Sequence, residues 1–228
     1  RSRTQRHQRA HAAWQEQLPA LVDDYLAWKH SHLRENPNDP APHSIFHVTT
    51  VGISEYTPSI AIQQHVDEPA NSSLLRIGLL GCSPLQPTVT IRLQCLELYR
   101  QIRRFQSSFS IQAFTKVLCT LHNVTYFQQL REQFSIAFDV YLNILRCVCL
   151  RIDQSLDRDH ENWPMSGACP CCTFEQPNEP ILIPRCLHCM DGNFSAKRLD
   201  GSGTSDPRIF RSRYFIPQAD VEHFKDDM

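Results

Sequence analysis

The sequence predicts a mainly α-helical N-terminal region with one or two short strands, followed by a cysteine-rich segment that begins near residue 160. The clearest helix signal is a stripe of apolar residues spaced three or four apart: Phe127, Leu130, Phe134, Phe138, Tyr141, Leu145, Val148 and Ile152. Strand is indicated over residues 45–66, where β-branched residues mix with polar ones around a break at Pro58. The later segment is marked by its cysteines, because five of the ten fall between Cys169 and Cys189.

The remaining elements are predicted in chain order. Residues 9–34 carry apolar side chains at helical spacing, and Pro19 is expected to kink this helix or to begin its second half. The proline-rich residues 36–42 are predicted as a loop. Residues 87–105, from Val89 onward, repeat apolar side chains on one helical face, and Ser110 is suited to cap a further helix that ends near His122. We expect the helices to form an antiparallel bundle.

Composition and charge exclude several classes of protein. The chain has 228 residues, 41% of them hydrophobic and 21% charged, so it is long enough to bury a core. It has no run of about 18 apolar residues, so no membrane-spanning helix is predicted. The formal net charge of −1 gives no general attraction to nucleic acid. Two basic clusters fit either solvated surface or phosphate contact: Arg1, Arg3, Arg6 and Arg9, and Arg92, Arg100, Arg103 and Arg104.

The clustered cysteines favour a metal site over a disulfide framework. The first residues are polar and lack the apolar segment of a secretory signal, so we expect the thiols to be reduced. The sequence does not begin with Met, so we expect a fragment or a partial gene product. The spacing C-x2-C-x13-C-x2-C is close to that of a four-thiolate zinc site, with the ligands Cys169, Cys172, Cys186 and Cys189. Cys171 and His188 are substitutes within the same pattern.

The second cysteine pair is open to another interpretation. Residues three apart on a continuous strand point to opposite faces, so Cys186 and Cys189 chelate one ion only if the chain turns between them. Without a turn they are small buried apolar residues. Asp191, in Met190-Asp-Gly-Asn193, follows an apolar strand pattern, which is where several α/β enzymes hold a metal. Asp-Gly is also an ordinary turn signal, so the spacing alone favours the turn.

The order of these motifs resembles the Kyakuja–Dileera–Zisupton transposases. The segments that carry the resemblance are Ala168-Cys-Pro-Cys-Cys172, Asp191-Gly-Asn-Phe-Ser-Ala-Lys-Arg-Leu199 and Tyr214-Phe-Ile-Pro217. Upstream, Tyr25-Leu-Ala-Trp-Lys29, Gly81-Cys-Ser-Pro-Leu-Gln-Pro87 and Ser135-Ile-Ala-Phe-Asp-Val-Tyr141 resemble the CxC-type cysteine-cluster region that precedes these transposases. The resemblance implies three parts: a CxC-like region over residues 1–105, a helical region over 106–160, and the start of an RNase H-like α/β transposase core over 161–228.

The resemblance also implies a chemistry. In RNase H-like recombinases, three carboxylates hold two divalent metal ions, here Mg²⁺, for attack on a DNA phosphodiester. Asp191 matches the first carboxylate, Lys197 and Arg198 match basic residues near DNA phosphates, and Cys169 and Cys172 match a cysteine pair that binds structural zinc. DNA is therefore the expected partner and the nucleus the expected location. Self-association through the long helix is a further expectation.

Two departures limit what the resemblance implies. Residues 1–81 contain no cysteine, although the family's N-terminal region is named for its cysteines. We expect the acidic residues after Asp191 to be solvated loop charges: Asp200, Asp206, Asp220, Glu222, Asp226 and Asp227. Because one carboxylate cannot hold two Mg²⁺ ions, we expect no strand-transfer activity from this chain alone. The alternative function is a non-catalytic, zinc-stabilised module that binds DNA or protein.

Overall fold

A small mixed sheet and five helices make up the part of the chain that the computed structural model describes, residues 3–30, 44–65, 68–160, 163, 177, 178, 180 and 183. The helices are α1 (Arg3–Lys29), α2 (Ala70–Arg76), α3 (Leu93–Phe105), α4 (Ile111–Leu121) and α5 (Gln128–Ser155). The strands are β1 (Ser44–Val51), β2 (Tyr56–Gln64), β3 (Leu79–Gly81) and β4 (Val89–Arg92). The mainly helical prediction is therefore confirmed for this part, but the prediction of one or two short strands is wrong, because four strands pair into a sheet. The predicted RNase H-like strands fall on residues outside this part.

The chain divides into two units, residues 1–152 and 153–228. Apart from the last residues of α5, all of the described helices and strands lie in the first unit. In the second unit, a turn follows α5, where the Arg158 N–H donates to the Asp153 carbonyl at 2.7 Å. The Arg158 guanidinium lies 5.0 Å from the ring centroid of Trp163. Among the described residues, no helix is both long enough and apolar enough to cross a membrane.

The four strands form one sheet in the order β2-β1-β4-β3. β1 pairs antiparallel with β2 and parallel with β4, and β3 pairs antiparallel with β4. At the centre, the buried hydroxyls of Thr50 and Thr90 lie 3.0 Å apart and form a hydrogen bond between the parallel strands. This side-chain hydrogen bond therefore adds to the backbone hydrogen bonds that join β1 and β4.

The predicted break at Pro58 is wrong. The turn between β1 and β2 lies earlier, where the Gly52 N–H donates to the Glu55 carbonyl at 2.8 Å. Pro58 lies inside β2, which is an edge strand of the described sheet, the position where a strand tolerates a proline. The register shifts between Val48 and Thr50 opposite this proline, and Thr49 Oγ1 donates to the Pro58 carbonyl at 2.9 Å.

The predicted helix over residues 87–105 begins late, because residues 89–92 are strand β4. Val89 has helical spacing to Leu93, which made the two elements look continuous. The alternating Val-Thr-Ile sequence instead pairs on both sides, with β1 and with β3. Pro19 does not interrupt α1. The prediction of an N-cap at Ser110 is confirmed, since its hydroxyl accepts a hydrogen bond from the Ala113 N–H at 3.1 Å.

The main core joins residues of the sheet to all four long helices. Tyr99 of α3, which is fully buried, contacts aromatic rings from α4 and α5. Of the predicted stripe, Leu130, Phe134 and Tyr141 are buried, and Phe138, Leu145 and Val148 are partly buried. Its two ends, Phe127 and Ile152, are 38% and 51% exposed. A second, smaller core lies under the β1–β2 hairpin and consists of Val48, Ile62, Leu74 and Leu79.

The loop between β3 and β4 is held by one buried amide. Asn71 of α2 is completely buried, and its Nδ2 donates to the carbonyls of Ser83 at 3.0 Å and Pro84 at 3.1 Å. Its Oδ1 accepts a hydrogen bond from the Gly81 N–H at 3.2 Å. A Cβ at Gly81 would overlap both Asn71 and Pro87, so only glycine fits there. Asn71 therefore fixes the shape of this loop.

Replacing this amide tests the loop directly. We expect Asn71→Ala to lower the free energy of unfolding by about 2 kcal/mol, because it leaves buried backbone groups without partners. Urea denaturation of the variant and of the wild type gives the difference. Gln86→Ala, which removes an exposed amide from the same loop, is the matched control and is expected to change stability by less than about 0.5 kcal/mol. Equal effects of the two substitutions would contradict the role given to Asn71.

Candidate functional site

Three charged side chains from separate segments meet beside α2. Arg76 donates from Nη2 to Glu68 Oε1 at 2.6 Å and from Nε to Asp24 Oδ1 of α1 at 3.3 Å. Burial raises the pKa of Asp24, and hydrogen bonds from Ser72 and Arg76 offset only part of that effect. The guanidinium between the two carboxylates stays protonated, so it cannot pass a proton from one to the other. The group therefore connects α1 to α2 without an evident acid–base role.

A second charged group lies between α3 and α5. Glu97 Oε2 accepts hydrogen bonds from Arg100 Nε and from the Tyr141 hydroxyl, both at 2.7 Å. Its Oε1 accepts from Arg100 Nη2 at 2.8 Å and also from Gln101. These hydrogen bonds, that of Arg100 above all, lower the pKa of Glu97 to about 2. Burial, together with the bond to Glu97, raises the pKa of Tyr141 well above its ordinary value. Both groups are thus fixed in one protonation state near neutral pH.

A shallow cleft of about 220 Å³ lies beside the β1–β2 turn and is lined by Ile53, Ser54, Glu55, Arg92 and Gln94. Arg92 forms an ion pair with Glu55 there, and the Glu55 side chain is more than half exposed. An ion pair in solvent contributes little binding or stabilising energy. Pockets that hold small ligands are usually about 300 Å³ or larger. The cleft therefore gives no sign of a catalytic centre.

The buried cysteines of the described residues are unsuited to metal binding. Burial raises the pKa of the Cys95 thiol to about 12, and raises that of Cys82 further. A thiol with such a pKa stays protonated at neutral pH, whereas a metal ligand must be a thiolate. Within the described ranges, no three or more His, Cys, Asp or Glu side chains are placed so that they could hold a metal ion.

The site residues predicted from the sequence lie outside the described residues. They are Asp191, Lys197, Arg198, Cys169, Cys172, Cys186 and Cys189. Their roles therefore remain predictions. The second basic cluster, Arg92, Arg100, Arg103 and Arg104, does lie within the described part. Arg92 and Arg100 are ion-paired in it, whereas Arg103 and Arg104 donate only to neutral acceptors.

Comparison with known proteins bears on the end of the chain. Residues 184–228 match the Kyakuja-Dileera-Zisupton transposase family. The match supports the resemblance predicted from the order of the motifs, and it covers less than half of the chain. It includes Asp191, Lys197 and Arg198 as well as the second cysteine pair, while Cys169 and Cys172 precede it. No curated protein and no solved structure matches the chain.

Two of the charged groups were missed by sequence reasoning. The partners of Arg76 include Asp24, and those of Tyr141 include Glu97, so each group joins residues far apart in the sequence. No local spacing connects such residues. Only the pair of Glu97 and Arg100, three residues apart on one helix, carries a signal that a sequence pattern can reveal.

The Glu97 group predicts a pH dependence of stability. Its pKa falls from 4.5 when unperturbed to about 2 in the folded protein, so its stabilising effect is fully present above 4.5 and is lost as the pH falls toward 2. Because the side chain is one-third exposed, solvent screening limits the effect. We expect Glu97→Gln to destabilise the protein by about 1 kcal/mol at pH 7 and by almost nothing near pH 2.

Urea denaturation at pH 7, 4 and 2.5 measures this difference. Glu132→Gln, which neutralises an exposed carboxylate on α5, is the control and should leave stability within about 0.5 kcal/mol of the wild type at each pH. A Glu97→Gln effect that stays constant across these pH values would show that the carboxylate does not act through its ionised form.

Proposed function

We propose that this chain is part of a transposon-derived DNA transposase, with Asp191 as one carboxylate ligand of its divalent metal ions. The observation that carries the proposal is the family match over residues 184–228, which contains Asp191. Carboxylate oxygens are the donors that Mg²⁺ prefers, so this residue fits the metal. One carboxylate does not hold two ions, so the proposal requires further acidic ligands. When bound, the metal ions stabilise the attacking and leaving oxygens of a DNA phosphodiester.

The protein's own side chains have separate roles in this proposal. Lys197 and Arg198 follow Asp191 closely and are cationic, so they hold the DNA backbone near the carboxylate by contact with phosphates. Cys169 and Cys172 bind zinc, which suits thiolate donors at this spacing. From the resemblance to the transposase family, we also propose that the protein acts in the nucleus.

The role of Asp191 is tested in the full-length gene product. We expect that protein to nick supercoiled plasmid DNA only when Mg²⁺ or Mn²⁺ is added, and Asp191→Asn to lower the nicking rate by at least about 100-fold, because the amide is a poorer metal ligand. Asp200→Asn is the matched control and should retain the wild-type rate. Unchanged nicking by Asp191→Asn would remove Asp191 from the mechanism.

The zinc site is tested by metal analysis of the purified chain. We expect about one zinc ion per chain and its loss from the double variant Cys169→Ser/Cys172→Ser, since hydroxyls are poor zinc ligands. Cys147→Ser/Cys149→Ser, on α5, is the control that should keep its zinc. A wild-type content below about 0.3 zinc per chain would contradict the site. The variant Cys186→Ser/Cys189→Ser distinguishes four thiolate ligands, if zinc is lost, from a buried apolar pair, if zinc is kept.

A further inference from the structure

One stretch of the first unit is basic, although the formal net charge of the chain is −1. Between Glu97 and Glu132 the sequence contains no acidic residue. The basic residues of this stretch are Arg100, Arg103, Arg104, Lys116 and Arg131. Arg100 is neutralised by its ion pair with Glu97. The other four form no ion pair with any described residue, so their positive charges are uncompensated in this part of the chain.

The fold brings these cations around one packed centre. The rings of Tyr99, Phe114 and Phe134, one from each of α3, α4 and α5, lie with their centroids 5.0–5.5 Å apart. The cations flank this centre along the chain, with Arg103 one helical turn after Tyr99, Lys116 two residues after Phe114, and Arg131 one turn before Phe134. Glu97 contacts Tyr141 and Tyr99 contacts Phe134, so α3 and α5 run antiparallel and the end of α3, with Arg103 and Arg104, lies at the same end as Arg131. Lys116 lies in the middle of α4, and its ammonium is 5.6 Å from the ring centroid of Tyr126, which just precedes α5.

An exposed aromatic ring accompanies the charges. Phe105, the last residue of α3, is 89% exposed, and it directly follows Arg103 and Arg104. Arg103 Nη1 donates to the Phe109 carbonyl at 3.3 Å, and Arg104 Nη1 donates to Gln101 Oε1 at 3.2 Å. Both guanidinium groups are thus positioned by neutral acceptors while they keep their charge. A phenylalanine so exposed contributes almost nothing to the core.

We propose that this basic helical surface, formed by Arg103, Arg104, Phe105, Lys116 and Arg131, binds single-stranded DNA. The cations match a row of phosphates, and the exposed ring of Phe105 matches the flat face of an unpaired base, which a duplex does not present. The proposal rests on the proposed function for its choice of DNA as the partner. Its residues all lie outside the segment that matches the transposase family, so it identifies a second contact with DNA, separate from Asp191.

Binding of a fluorescent oligo(dT) strand by the full chain, measured by anisotropy at several NaCl concentrations without added divalent metal, tests the surface. We expect Arg104→Gln/Lys116→Gln to lower the slope of log K against log salt by about 1.4, because each lost phosphate contact on a single strand contributes about 0.7. We expect Phe105→Ala to weaken binding by about 5- to 150-fold with the slope unchanged, because stacking releases no counterions.

The controls separate this surface from charge and apolar area in general. Arg9→Gln/Lys29→Gln removes two cations from α1, and Leu85→Ala removes another exposed apolar side chain; both should bind like the wild type. All substituted side chains are exposed, so circular dichroism should show each variant folded. Oligo(dT) binding without metal-dependent nicking by the wild type would contradict only the proposed function, whereas nicking without oligo(dT) binding would contradict only this surface.

Three results would overturn the proposal. They are undetectable binding of oligo(dT), binding that Arg104→Gln/Lys116→Gln leaves with an unchanged salt slope, and binding that is as tight to a duplex of the same length and insensitive to Phe105→Ala. The last result would identify a duplex or general polyanion surface instead. Tight capture of an acidic protein without oligo(dT) binding would likewise show that the cations serve a protein partner.

Discussion

The packing of Tyr99 against Phe114 and Phe134 is the contact on which the arrangement of the helices depends. Tyr99 is buried, and its hydroxyl donates to the Phe109 carbonyl at 3.0 Å, so one side chain fixes α3, the following loop, α4 and α5 relative to one another. Aromatic side chains bury large areas and prefer tilted or edge-to-face contacts, which makes such a cluster strongly directional. The same cluster holds together the three helices that carry the basic helical surface.

The sheet is tied to the same helices by fewer and more polar contacts. His122, which follows α4, lies with its Nε2 3.0 Å from the Gly52 carbonyl in the β1–β2 turn. Asn71 fixes the loop that leads into β4, and β4 continues directly into α3. A change in that loop therefore reaches α3 through one continuous stretch of backbone. Polar groups of this kind stabilise little on average but are costly when left unpaired, so they specify one arrangement.

Local sequence signals predicted the helices well and the sheet poorly. Apolar spacing located α5, and the hydroxyl of Ser110 marked the start of α4, because both signals act within a few residues. The strand identity of Val89 depends on partners in β1 and β3, which no local pattern contains. The same limit applies to the site: the cation cluster is visible in the sequence, but which arginines are neutralised depends on the distant Glu55 as well as the neighbouring Glu97.

The cations of the first unit fall into two groups: those in ion pairs with carboxylates, and those without a carboxylate partner among the described residues, which are free to bind an anion. Asp24, Glu55 and Glu97 each form an ion pair with an arginine, whereas Arg104 and Lys116 have no carboxylate partner among the described residues. On the proposed function, metal ions at Asp191 would neutralise only the phosphate that reacts. The rest of a DNA strand keeps its charge and must be held by fixed cations. A transposase of this kind therefore needs a binding surface that does not depend on its metal ligands, and the end of the α3–α4–α5 cluster has the charge and the exposed ring that such a surface requires.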